Sequence, residues 1–222
     1  VSETELRRAV AAFAAGLPTG GAVLDVGCGA RPYENLFPDS SYTGIDVEHS
    51  GRSADYKRPD VYFDGLSIPY DEASFDSVIC TQVLEHSVDP DALLREMCRV
   101  LRPGGRLLIT VPFMWGLHEV PFDFRRYSMF GLPRVVEAAG LRVLHIDQLS
   151  RGIDAIEMLV ASEQNNFRQN VMPKRAMRRA PFTWVLEGLE PRLWRLQVAV
   201  WRRLYRFERL YIDNLLVAER PS

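Results

Sequence analysis

The segment Val23-Leu24-Asp25-Val26-Gly27-Cys28-Gly29 sets a carboxylate two residues ahead of a glycine loop. An apolar run entering glycines reads as a buried strand whose following backbone can approach a ligand closely. A dinucleotide fingerprint would place a third glycine at position 32, where this chain has Pro32. Proline carries no N–H and disfavours the close helix approach that a pyrophosphate uses. An acid so near the loop sits badly beside a diphosphate and suits a ligand with a cationic amine. Two more acids, Asp46 and Asp64, close further short apolar runs. In open parallel sheets the carboxyl ends of strands face the ligand, and the acid after the second strand holds ribose hydroxyls. Asp46 is therefore placed for a ribose, and Asp64, with the Leu66 backbone beside it, for an adenine amino group. Each acid has a plainer alternative as a turn or helix cap.

S-adenosylmethionine meets these demands: an amino acid, a sulfonium, a ribose and an adenine, with no phosphate. Asp25 would face its ammonium, directly or through water, while Gly27 and Gly29 admit it to the backbone. Methyl transfer from a sulfonium is an in-line displacement in which alignment supplies most of the acceleration. A base is needed when the acceptor is a hydroxyl, and much less for a carboxylate or neutral amine. Residues 112–127 run from Pro112 to Tyr127 through Phe113, Met114, Trp115, His118, Asp123, Arg125 and Arg126. Aromatics at that density in a connecting loop line a pocket or pack beneath one. His118 is the first candidate for a general base, with Asp123 and Tyr127 orienting it. Asp123 with Arg125 or Arg126 reads equally well as a structural pair. Glu85 and His86 either line the site or close a turn. The three cysteines have no metal-ligand spacing, and no metal is called for.

These groups need strands to carry them. Residues 22–26, 41–46, 61–64, 74–80, 106–111 and 141–146 read as strands, with 215–218 as a last one. Glu3 to Ala15 forms an amphipathic helix. Asp89 caps a second helix whose first position is Pro90, and which stops at Arg102-Pro103-Gly104-Gly105. Ser128 caps a third, ending near Gly140. Strands alternating with helices imply an α/β fold with a largely parallel sheet and helices on both faces. Residues 151–209 read as a helical insertion, so the chain divides into a core at 1–150, the insertion at 151–209, and a return to the core at 210–222.

The chain has 222 residues, 47% of them apolar and 25% charged, with a formal net charge of −2. That composition belongs to a globular protein and excludes a basic nucleic-acid coat. No apolar run reaches the ~20 residues of a membrane span. The N-terminal residues lack the basic-then-apolar order of a signal peptide, and an odd number of cysteines suits a reducing cytoplasm. Charge is uneven: Arg168 to Arg209 holds eleven basic residues against three acids. Leu193, Leu196, Val200 and Leu204 recur there at helical spacing, beside Trp184, Trp194 and Trp201. Three uses compete: a lid or homodimer helix, a peripheral contact with an anionic membrane, and a patch for RNA. No RNA-binding module supports the third, and DNA is not expected.

VLDVGCG (23–29), YTGID (42–46), FDGLSIPYDEASFDSVICTQVLEH (63–86) and RVLRPGGRLLITVP (99–112) together resemble a class I S-adenosylmethionine-dependent methyltransferase. They are most similar to the small members with a VLEH segment after the fourth strand. The resemblance implies a Rossmann-like seven-stranded sheet with its last strand antiparallel, for which Asn214 to Glu219 is the candidate. It implies S-adenosylmethionine as cofactor and S-adenosylhomocysteine as product. It carries the cofactor positions to Asp25, Gly27, Gly29, Asp46 and Asp64, and to Thr81 and Gln82 after the fourth strand. Leu66 and His86 complete the candidate cofactor set. The loop departs from the family at Ala30-Arg31-Pro32-Tyr33, where many members begin a long helix. The expected activity is methyl transfer to oxygen or nitrogen of a small molecule. An RNA methyltransferase and a cofactor-binding protein without chemistry are the alternatives.

Overall fold

The computed structural model describes residues 3–166, 200 and 210–222. Two compact units are present, Val1–Leu149 with Ile212–Ser222, and Ser150–Tyr211. The first holds α1 (Glu3–Ala15), β1 (Ala22–Val26), β2 (Ser41–Val47), β3 (Val61–Phe63), β4 (Phe75–Thr81), α2 (Pro90–Val100), β5 (Leu101–Pro112) and α3 (Gly131–Ala138). It also holds most of β6 (Arg142–Arg151) and of β7 (Tyr211–Glu219). The strands form one seven-stranded sheet in the order β3-β2-β1-β4-β5-β7-β6. Pairs among β1 to β5 are parallel, and β7 runs antiparallel to β5. The order reverses between β1 and β4, which creates the crevice where ligands of such sheets bind.

Side-chain alternation sorts the core onto two faces. On one face Leu24, Val26, Val78, Cys80, Leu107 and Ile109 pack with Leu93, Leu94 and Met97 of α2 and Leu132 and Val136 of α3. On the other, Val23, Ile79 and Leu108 meet Val10 and Phe13 of α1, with Tyr33 and Phe37. Helices cover both faces, but unevenly. No α-helix joins β1 to β2 or β2 to β3; each connection carries a single 3-10 turn, Glu34–Leu36 and Ala54–Tyr56.

Local signals set most boundaries. The Asp89 carboxylate accepts from the Ala92 N–H at 2.9 Å and Pro90 opens α2, a cap worth about 1 kcal/mol. The Ser128 hydroxyl accepts from the Gly131 N–H at 3.0 Å, so it does tie down the start of α3. Three boundaries depart from expectation: β6 runs on to Arg151, β7 begins at Tyr211, and β5 starts early. β5 begins at Leu101, directly after α2, because Leu101 pairs with Phe75 and the Gly104 N–H reaches the Arg220 carbonyl. Tertiary pairing overrides the Pro-Gly-Gly turn signal.

In the second unit, α4 spans Ile153–Asn166 and opens the expected helical insertion. The basic, tryptophan-bearing segment from Arg168 lies outside the described residues, apart from Val200, and so do the lid, membrane and dimer uses expected of it. Among the described residues no helix is long and apolar enough to cross a membrane. Cys28, Cys80 and Cys98 are free thiols.

Candidate functional site

A cavity of about 360 Å³ opens beyond the carboxyl ends of β1, β2 and β4, a size typical of small-molecule sites. Gly27 and Gly29 of the loop after β1, Asp46 at the end of β2, and Thr81, Gln82 and His86 beyond β4 all line it. Six of the nine expected cofactor residues thus come together. Gly27 has φ +74°, and a Cβ on it would lie 2.3 Å from a Val83 methyl. The loop is tied down from below, with the Gly27 and Cys28 N–H groups both donating to the Ile45 carbonyl at 2.8 and 3.0 Å.

Asp46 is the hub of this wall. One carboxylate oxygen accepts from the Gly29 N–H at 2.9 Å. The other accepts from its neighbour's N–H, Val47, at 2.7 Å and lies 3.1 Å from the Lys57 ammonium. Lys57, with a side chain 2% exposed, also donates to the Val47 carbonyl at 2.6 Å. A loop, a strand end and a buried cation therefore share one carboxylate.

Asp25, Asp64 and Leu66 lie outside the cavity wall. Asp25 is 1% exposed and accepts from the Tyr42 hydroxyl; its Oδ1 has no partner among the described residues. Burial pushes its carboxyl up to about 7, against the opposing Tyr42 hydrogen bond. Tyr42 reaches it because Asp25 pairs in register with Gly44, and residue 42 stands on the same face one step along the neighbouring strand. Asp64 accepts from the Leu66 and Ser67 N–H groups at 2.8 and 2.7 Å, which hold its carboxyl below the usual range. In this structure it caps its own turn, the plainer of its two expected roles.

The acceptor-side residues divide. Asp123 takes a bidentate pair from Arg126 at 2.5 and 2.7 Å, which holds its carboxyl down at about 2. Asp123 also accepts from the His118 N–H at 3.0 Å and lies 3.2 Å from His118 Nδ1. Asp123 thus pairs with Arg126 and contacts His118 at once. Burial lowers the His118 imidazole from its ordinary value, against the opposing pull of the Asp123 carboxylate. Neither residue lines the cavity, but His118 meets His86, which does, edge to face with ring centroids 4.8 Å apart. Tyr127 is a correction. It packs in the core with α2 and α3, 9% exposed, and its hydroxyl has no partner among the described residues.

Lys57, Arg52, Tyr56 and Glu119 also line the cavity and were not among the expected residues. The first three sit on the β2–β3 connection, which the switch-point rule puts beside any ligand. Position in the fold could have found them; residue spacing could not.

Gly27→Ala is expected to strain the loop in two ways. The left-handed backbone costs an L-residue about 1–2 kcal/mol, and the new methyl must displace Val83. Calorimetry with S-adenosylhomocysteine should read at least a tenfold loss of affinity. Adding Val83→Ala should restore part of it, and full affinity in the single variant would show the loop to be more pliant than this.

The comparisons with known proteins agree with this geometry. Residues 24–109 match the model of a methyltransferase domain. A tRNA (carboxymethyluridine(34)-5-O)-methyltransferase of Arabidopsis thaliana is 36% identical over 107 residues, 46% of this chain and 26% of that protein. Methyltransferase GfsG of Streptomyces halstedii is 31% identical over 160 residues, 64% of this chain and 56% of that one. The chain thus spans little more than half, or much less, of these relatives. The solved structure of the [4+2]-cyclase SpnF superposes with a TM-score of 0.60 at 23% identity, covering 98% of this chain and 81% of that one, a likeness of fold. A glycine loop with an acid after β2, a sheet with one antiparallel strand and the matched domain agree: residues 24–109 are a methyltransferase domain by their match, in a fold of the class I S-adenosylmethionine-dependent type.

Proposed function

We propose that the protein transfers the methyl group of S-adenosylmethionine to an oxygen or nitrogen of a small-molecule acceptor. The observation that carries this reading is the wall built by Gly27, Gly29 and Asp46 around a small-molecule-sized cavity. No α-helix starts at the glycine loop, so the N–H cluster a diphosphate would use is missing there. Asp46 would take the ribose hydroxyls. Gly27 and Gly29 would admit the methionine part, with Asp25 supplying negative charge from below. Thr81, Gln82 and His86 would border the ligand on the β4 side. Asp64, whose Oδ1 is taken by its own turn, would offer Oδ2 to the adenine amino group, with the Leu66 backbone beside it. The acceptor would enter beside His86, His118 and Glu119, where Asp123 orients His118.

The relative from Arabidopsis, which acts on tRNA, favours RNA as the second reading of the acceptor. Titration calorimetry tests the first part: S-adenosylhomocysteine should bind at micromolar Kd or tighter and NAD should not. Binding of NAD alone would sink the proposal. Labelled methyl groups should then enter a small-molecule extract and leave total tRNA unlabelled; label in tRNA would transfer the case to the second reading. Tight S-adenosylhomocysteine binding with no transfer to either pool would leave a cofactor-binding protein.

A further inference from the structure

Glu85 stands in the 3-10 turn that follows β4 and is 0% exposed. Neither of its carboxylate oxygens has a hydrogen-bond partner among the described residues. A buried carboxylate without donors is expensive, and native structures rarely keep one without a counter-ion. The next residue, His86, is its neighbour. His86 holds Nδ1 2.7 Å from the Phe122 carbonyl, a contact that puts a proton on Nδ1, so that the neutral ring carries its lone pair on Nε2. That Nε2 is buried, lacks a hydrogen-bond partner, and lies 3.8 Å from Glu85 Oε1 and 4.0 Å from Glu119 Oε1. His118 repeats the pattern from the other side. Its Nδ1 faces the Gly116 carbonyl and the Asp123 carboxylate, both at 3.2 Å, so its Nε2 is the lone-pair nitrogen.

Two imidazoles with Nδ1 committed to oxygen acceptors and Nε2 available are what metal-ligating histidines look like, and the carboxylate and carbonyls behind them fix the tautomer. One ligand atom each from Glu85, His86 and His118 lie within 4.8 Å of one another. A shift of less than about 1 Å by each would give the ~2.0–2.2 Å bonds of a divalent first-row cation. We infer that Glu85, His86 and His118 form a binding site for one divalent transition-metal ion at the acceptor edge of the cavity. Two histidines and one carboxylate suit Zn²⁺, Fe²⁺, Mn²⁺ or Co²⁺ and leave coordination positions open. Glu119, a cavity residue paired with Arg52, stands beside those positions.

The inference deepens the proposed function and rests on it for its chemistry. A bound cation lowers the pKa of an oxygen ligand, so the acceptor class is a hydroxyl compound. The hydroxyl proton would leave to solvent, the metal-bound oxygen would form the new bond to the methyl carbon, and the C–S bond would break with its electron pair remaining on sulfur. His118 then serves as a ligand, and no protein base is required.

The test uses the full chain, stripped with a chelator and titrated with Zn²⁺ by calorimetry, and with Co²⁺ by visible absorption. One ion per chain, with d–d bands from Co²⁺, is the expected result. His118→Ala and the isosteric Glu85→Gln should each weaken Zn²⁺ at least a hundredfold. Neither side chain lines the cofactor cavity, so both variants should bind S-adenosylhomocysteine within about threefold of the parent, which shows that they fold. Wild-type protein that takes up no more Zn²⁺ than these variants overturns the site. Lost turnover in His118→Ala without any metal uptake by the parent would also overturn it, in favour of His118 as a base. Metal uptake without S-adenosylhomocysteine binding would support the site and break the cofactor reading alone.

Discussion

Asp46→Ala is expected to weaken S-adenosylhomocysteine binding by about tenfold to a hundredfold or more, from the 1.5–3 kcal/mol that a hydrogen bond to a charged group supplies. Its second effect falls on the fold. The substitution frees the Gly29 N–H and leaves Lys57, 2% exposed at the side chain, beside no carboxylate. Breaking a buried ion pair from one side costs about 3–5 kcal/mol, because the surviving charge is stranded. Urea unfolding should register that loss separately from the calorimetry. The two effects can be pulled apart with Lys57→Met. Added to Asp46→Ala, it removes the stranded cation and should recover much of the stability while affinity stays low. Asp46→Asn should fall between, since its amide oxygen still accepts from Gly29. Unchanged affinity in a folded Asp46→Ala protein would move the ribose to another group, Glu48 being the nearest acid in sequence.

Single positions were readable in the sequence wherever one residue type does one job. Asp89 with Pro90 marks a helix start in any context, and the alternating apolar runs marked the strands. The acids at strand ends were readable for the same reason, since glycine loops and carboxylates have few uses together. Their partners were not. Lys57 reaches Asp46 from eleven residues away across a loop, and Tyr42 reaches Asp25 only through the register of β1 on β2. Sequence spacing carries no information about either contact. Asp64 carries the opposite lesson: the backbone N–H groups two and three residues on satisfy it, so a turn explains it before any ligand does. The Glu85-His86 pair was visible as residues, but the significance of Glu85 lies in having no donors, a property only packing can reveal. The connections β1–β2 and β2–β3 break the strand–helix alternation: each carries one 3-10 turn, and the second lends its loop to the cavity wall.

Asp25→Asn is expected to stabilise the ligand-free protein at pH 8 and leave it unchanged near pH 4. Burial raises the folded-state carboxyl from 3.8 to about 7, while the unfolded chain keeps the ordinary value. The folded state therefore holds its proton longer than the unfolded one. Stability from this group is fully present below pH 3.8, declines as pH rises through the interval to about 7, and is gone above it. At about 1.4 kcal/mol per pK unit, the difference across that interval is on the order of 4 kcal/mol. Asparagine has no proton to lose and can still accept from Tyr42, so the gap between variant and parent should open with pH, not sit as a constant offset. Urea midpoints for both proteins at matched pH values from 4.5 to 8.5 provide the measurement. A pH-independent difference would mean that Asp25 is ordinary in its titration and that shape alone separates the two proteins. The same substitution should cost affinity for a ligand carrying an ammonium group, because the charge that burdens the empty fold is what would attract it. A variant more stable at pH 8 yet weaker toward S-adenosylhomocysteine would identify Asp25 as a carboxylate kept for binding at the expense of the fold, and equal affinity would leave it as a buried partner of Tyr42.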